Sequence, residues 1–203
     1  MPIVRSWVSG EDFFNNELVV SAMGSLECEL WKEEIEIVNC NPVLIAEISN
    51  FNSTPSAISK SFKKKIGIRR VEEEIEEVKR FLENSSLGSK LRLDANESLS
   101  MKELLTWNES FKDEPQIQFI EQPFPRDKLE ELFLVQEKID IPLALDESLV
   151  WKNDLSYFEE QNWMGFFVLK PYLLSNWKET IRFLKENSNR SVVSTSFESP
   201  FGY

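Results

Sequence analysis

Histidine is absent from this 203-residue chain, which removes the commonest general base and metal ligand. Ser-His-Asp and Cys-His mechanisms are thereby excluded, and acid–base chemistry must fall to carboxylates, lysines or tyrosines. Cysteine is scarce. Cys28 and Cys40 are the only two, their spacing fits no CxxC or metal motif, and two free thiols in a reducing compartment are expected. No apolar run approaches the roughly 20 residues of a membrane span. The opening MPIVRSWVSGEDFF has no signal-peptide core, so a cytoplasmic location is expected. Positive charge is also short: 23 Lys and Arg face 35 Asp and Glu, a net −12. That balance repels phosphate backbones and anionic membranes, arguing against nucleic-acid or membrane partners. Most of the surplus reads as solvated surface.

What is present describes a globular protein. The chain is 41% hydrophobic with six Trp and fifteen Phe, enough large apolar side chains to build one core and exclude disorder. From residue 43 onward, apolar runs alternate with amphipathic segments. The runs are VLIAEIS (43–49), FKKKIGI (62–68), KLRLDA (90–95), QIQFIEQ (116–122), PLALDE (142–147), GFFVLK (165–170) and SVVSTS (191–196). Between them, Val71, Ile75, Val78 and Leu82 form a helical stripe with Glu72, Glu73, Glu76 and Glu77 on the wet side. Leu129, Leu132 and Phe133 do the same in 127–138, and Trp177, Ile181 and Leu184 in 176–186. Strands alternating with helices predict βαβ units and a parallel sheet, an α/β fold. Residues 1–42 read as a helical lead-in, with an amphipathic helix over 11–34, and 43–203 as the sheet-bearing domain. Seven strands fit an open sheet, or a (β/α) TIM-type barrel short of its last unit, since a full barrel typically takes ~250 residues. The incomplete barrel is expected.

Asp94, Glu121 and Asp146 each end an apolar run, in LRLDAN, IQFIEQP and IPLALDES. Lys65 in KKKIG and Lys170 in FFVLKP stand in similar places before and after them. Successive members lie about 25–30 residues apart, the length of a strand, a helix and their loops. In a parallel sheet those strand ends emerge together, where α/β active sites are built. Any one such acid is commonly a loop residue or a helix cap. Three converging carboxylates repel one another unless a cation sits between them, and an all-oxygen set suits Mg²⁺. A lysine beside a metal is a usable base, and a divalent ion opposite stabilises an enolate. A doubly wound open sheet with an acidic pocket is the alternative architecture, but it would not normally place charges on five successive strands.

In this order and spacing, KxKIG (Lys63, Lys65), LRLDAN, FIEQP, ALDES, LKP and STSFES resemble the barrel domain of the enolase superfamily, in its muconate-lactonizing branch. Within the branch, LRLDAN, FIEQPFP, IPLALDES and VLKPYLLS are most similar to the o-succinylbenzoate synthase family. The superfamily pairs a Lys base with a Mg²⁺-stabilised enediolate. The resemblance implies a Mg²⁺-dependent lyase acting on a small carboxylate, 2-succinyl-6-hydroxy-2,4-cyclohexadiene-1-carboxylate, in menaquinone or phylloquinone biosynthesis. It implies that Asp94, Glu121 and Asp146 ligate the metal, that Lys65 takes the alpha proton, and that Lys170 stabilises the enediolate. Arg92 and Asn96 would support the first ligand, Lys63 would add positive potential, and Ser194 or Ser196 would contact the succinyl end. The same motifs fit an N-acylamino acid racemase or dipeptide epimerase, and an inactive fragment is the non-catalytic alternative. Family members carry a capping domain and an eighth strand that these 203 residues do not supply, so slow or absent turnover by the chain alone is expected. An oligomer is compatible with all of this.

Overall fold

The computed structural model describes residues 61–85, 88–170, 173–174 and 176–194, together with the backbone of 47–48. The lead-in over 1–42, most of the first predicted strand and Ser196 lie outside the described residues. Strands β1 (Glu47–Ile48), β2 (Ser61–Lys65), β3 (Lys90–Asp94), β4 (Ile117–Glu121), β5 (Leu143–Leu145), β6 (Phe166–Leu169) and β7 (Ser191–Val193) form one sheet. Their order in the sheet is their order in the chain, and every neighbouring pair is parallel. This is an incomplete TIM-type barrel. Lys65, Asp94 and Glu121 are the last residues of β2, β3 and β4, while Asp146 and Lys170 come just after β5 and β6.

Helices return the chain between strands: α1 (Val71–Glu83), α2 (Met101–Phe111), α3 (Leu129–Val135), α4 (Glu147–Lys152), α5 (Leu155–Glu160) and α6 (Trp177–Glu186). The α1 stripe is as expected, with Ile75, Val78 and Leu82 buried and Phe81 added to them. Helix α2 begins at a capping box. Ser100 Oγ accepts from the Glu103 amide at 3.3 Å while Glu103 Oε2 accepts from the Ser100 amide at 2.8 Å. Between β5 and β6 the chain makes two short helices, separated by Asn153 in the left-handed region at φ 50°. Among the described residues no helix is long and apolar enough to cross a membrane.

Side chains along a strand alternate between faces, and here the two faces differ. Phe62, Leu91, Leu93, Ile120, Leu143, Leu145, Phe167 and Leu169 pack with the helices in the main core. Phe119, Ala144, Val168 and Val192, joined by Phe166, form a second cluster made of strand residues alone, on the face away from the helices. Between Leu91 and Arg92 the β3–β4 register shifts, so Leu91 pairs with Ile117 but Arg92 with Phe119. That irregularity re-phases β4. It puts Phe119, and hence Glu121 two residues on, on the inner face.

One acidic residue on α1 is buried. Glu74 is 1% exposed and accepts from the amides of Gly67, Ile68 and Arg69 at 2.8, 3.0 and 3.1 Å. It thereby holds the turn that follows Lys65. Gly67 sits at φ +75°, and a side chain there would meet Ser98, so only glycine suits the turn. Glu74→Ala strands three donors and is expected to destabilise the fold by about 3 kcal/mol in urea unfolding. Glu74→Gln, which keeps an acceptor oxygen, should recover part of that. A loss within experimental scatter for Glu74→Ala would refute the assignment.

Candidate active site

Alternation and register bring the predicted residues to one end of the inner face. Lys63 pairs with Arg92 and Lys65 with Asp94 across β2 and β3, and Asp94 pairs with Glu121 across β3 and β4. Glu121 pairs with Ala144, and Asp146 follows two positions later, just past β5. Lys170 lies two residues beyond the inner-face Val168, and Ser194 two beyond Val192. Beneath these polar positions, Phe119, Ala144, Val168 and Val192 close the inner face with hydrocarbon.

Opposite charges meet along this rim. Lys63 Nζ lies 2.9 Å from Asp94 Oδ2 and 2.8 Å from Glu121 Oε1, one ammonium between two carboxylates. Lys170 Nζ donates to both oxygens of Asp146 at 2.6 Å. Asp94 also accepts from the Asn96 amide at 3.2 Å, while the Asn96 side chain donates to Glu147 Oε1 at 2.9 Å. Lys65 is exposed and makes no ion pair among the described residues. Arg92 is buried and, among the described residues, engages β4 rather than Asp94: its Nε donates to Gln118 Oε1 at 2.8 Å and its guanidinium sits 5.5 Å from the Phe119 ring centre. Burial pulls its pKa below the ordinary value, with the Glu121 charge opposing. Ser194 is half-buried, and its amide continues the ladder to Leu169.

Two carboxylates sharing one ammonium leave a negative charge to be placed. Burial pushes Glu121 up to about 8; Lys63 opposes the rise, and Asp94 and Asp146 add to it. Burial works against the charge on Lys63 too, yet Glu121 and Asp94 outweigh it and hold Lys63 protonated above its ordinary range. The Glu121 side chain is 1% exposed, which is why burial leads the causes of its rise. Glu147 is raised likewise, by burial and then by Asp146.

An acid raised in the folded state binds its proton more tightly folded than unfolded. Its stabilising contribution is complete below its ordinary 4.5 and is lost as pH climbs through about 8. The metal-free protein is therefore expected to lose stability across that window, and Glu121→Gln to flatten the decline. Urea midpoints at a series of pH values in EDTA would read this. Equal slopes in both proteins would contradict it.

The donors suit a hard cation, being oxygen alone, with the Asp94 and Asp146 charges both raising Glu121. As they stand, no three acidic side chains among the described residues converge closely enough to hold a metal ion. Asp94 and Glu121 gather on Lys63 while Asp146 is engaged by Lys170. Joint ligation would require both lysines to release them. The positive charge that Lys63 places between Asp94 and Glu121 marks where a cation is wanted.

Three residues that the motifs did not single out tie the rim together. Gln122 links the end of β4 to the turn after β5. Glu97 receives Arg126 through the amide, Nε and Nη2 at 2.6, 3.0 and 3.0 Å, joining the loops after β3 and β4. Asn96, Glu97 and Gln122 all have positive φ, at 41°, 65° and 38°. Backbone held in that region by its surroundings is common at functional sites.

The Enolase C-terminal domain-like family model matches residues 54–183. The o-succinylbenzoate synthase of Thermosynechococcus vestitus is 34% identical over 119 residues, covering 57% of this chain and 37% of that enzyme. The crystal structure of o-succinylbenzoate synthase from Thermosynechococcus elongatus BP-1, complexed with Mg in its active site, superimposes with a TM-score of 0.64 at 30% identity, covering 70% of this chain and 46% of that one. A substrate-liganded L-Ala-D/L-Glu epimerase from Bacillus subtilis shares the fold, with a TM-score of 0.61 at 21% identity over 70% of this chain and 41% of its own. The chain thus spans less than half the length of the relatives it matches.

Proposed function

The chain belongs to the Enolase C-terminal domain-like family of the enolase superfamily, and from that premise we propose that its site serves o-succinylbenzoate synthesis. The reaction is the dehydration of 2-succinyl-6-hydroxy-2,4-cyclohexadiene-1-carboxylate to 2-succinylbenzoate. One observation carries the reading: three acids and three lysines on the inner-face rim of one parallel sheet, in a chain 34% identical to an o-succinylbenzoate synthase over 119 residues.

Asp94, Glu121 and Asp146 would hold Mg²⁺. Bound there, the cation would supply Lewis-acid stabilisation of the negative charge that builds on the substrate carboxylate. Lys65, free of ion pairs among the described residues, removes the proton alpha to that carboxylate. The C–O bond to the ring hydroxyl then breaks, the oxygen leaves as water with the proton Lys65 took, and the new double bond completes the aromatic ring. Lys170, just past the end of β6 and so across the site from β2, would steady the enediolate from the opposite side. Lys63 keeps the local potential positive, and Asn96 orients Asp94. Ser194, just past β7, would contact the succinyl tail.

The test is product formation from the cyclohexadiene carboxylate with Mg²⁺, alongside an N-acyl amino acid in D₂O. Slow 2-succinylbenzoate formation that disappears in EDTA is expected. Deuterium uptake at the alpha carbon of the amino acid with no dehydration would replace this reading with the racemase. No reaction on either would favour the inactive fragment.

A further inference from the structure

Gln122 lies between two of the proposed metal ligands and is wholly buried. Every polar atom it has is engaged. Its amide donates to Ala144 O and its carbonyl accepts from the Glu97 amide, both at 2.8 Å. Its side-chain Oε1 accepts from the amides of Asp146 and Ser148, both at 3.1 Å. Its Nε2 donates to Phe124 O at 2.9 Å and to Ser148 Oγ at 2.7 Å. The left-handed backbone at φ 38° is what turns this side chain out of the β4 ladder and toward the β5 turn. A packing role alone would not need the carboxamide: both of its ends meet complementary groups on the segment that carries Asp146.

We propose that Gln122 is the positioning residue of the cation site, fixing the Asp146 turn against the Glu121 strand end so that both carboxylates face one point. The inference rests on the metal reading given above. Without the carboxamide, the Asp146 and Ser148 amides lose their acceptor and the turn after β5 no longer has a fixed distance from β4. Residues that orient a metal ligand through a hydrogen bond typically change metal affinity 10–100-fold when removed.

Gln122→Met keeps the side-chain length and removes all four of its side-chain hydrogen bonds. Hydrogen exchange of the Asp146 and Ser148 amides, measured in EDTA, is expected to accelerate at least about tenfold over the wild type, while amides in α1 hold theirs. Calorimetric titration with Mg²⁺ alone should show at least about tenfold weaker binding. Ser148→Ala, which removes one partner, should weaken it a few-fold and serves if Gln122→Met does not fold. Val135→Ala, in the core of α3, lowers the melting temperature without touching the rim and should bind Mg²⁺ as the wild type does. Unchanged amide exchange in Gln122→Met overturns the proposal, as does wild-type Mg²⁺ affinity in both rim variants, or equal weakening by Val135→Ala. A wild-type protein that takes up no Mg²⁺ overturns the metal reading instead, while the amide result still decides whether Gln122 holds the turn.

Discussion

Lys65→Ala is expected to reduce 2-succinylbenzoate formation by roughly 10²–10⁴-fold, the usual worth of a positioned general base. The side chain is exposed and makes no ion pair among the described residues, so the change should leave stability within about 0.5 kcal/mol of the wild type. A loss of rate with no loss of fold separates a chemical role from a structural one. Lys65→Arg should not recover the rate, because a guanidinium keeps its proton at any workable pH. Initial rates at saturating substrate and Mg²⁺ measure this. An alanine variant that turns over as fast as the wild type would remove Lys65 from the reaction.

Asp94→Asn is expected to abolish Mg²⁺-dependent stabilisation. A cation that binds only the folded chain adds about 2.7 kcal/mol at a hundredfold excess over its dissociation constant. The asparagine keeps an acceptor for the Asn96 amide but loses the charge that a hard cation needs. The wild type should gain stability as Mg²⁺ rises and the variant should not. Lys63 sharpens the comparison, because its ammonium already lies between Asp94 and Glu121. Lys63→Met leaves Asp94 and Glu121 without their shared cation, so it should be less stable in EDTA and gain more from Mg²⁺ than the wild type. Thermal melts of the three proteins across a Mg²⁺ series decide it. A rise in Asp94→Asn equal to that of the wild type would place the cation elsewhere.

Much of the fold was legible because its signals are local. The stripe of Ile75, Val78 and Leu82 fixes which side of α1 is dry without reference to any other element. The acids and lysines could be found because each ends an apolar run, and a parallel sheet gathers such ends whatever the details of packing. The resemblance of six short motifs to the enolase superfamily agrees with the family that residues 54–183 match. Helix α2 announces itself in the sequence chiefly through the capping signature of Ser100 and Glu103. The short helices α4 and α5 are two turns or less, too brief for periodicity to show.

The site was less legible than the fold. Counted with Glu72, Glu73, Glu76 and Glu77, Glu74 looks like one more solvated acid, and only the turn folded over it makes it a buried acceptor. Lys63 read as a source of diffuse potential, whereas it is the ammonium shared by Asp94 and Glu121. Nothing in IEQP beyond an amide next to an acid marks Gln122 as the link to Asp146.

By itself, then, the sequence determined the alternation of strand and helix, the parallel sheet, and which charged residues reach its C-terminal rim. Those follow from periodicity and from chain direction, which short stretches encode. Tertiary structure alone decided which charges touch, that burial raises Glu121, and that β4 shifts phase to turn Glu121 inward. Such outcomes depend on distance and burial between residues far apart in the chain, and electrostatic energy is set by both.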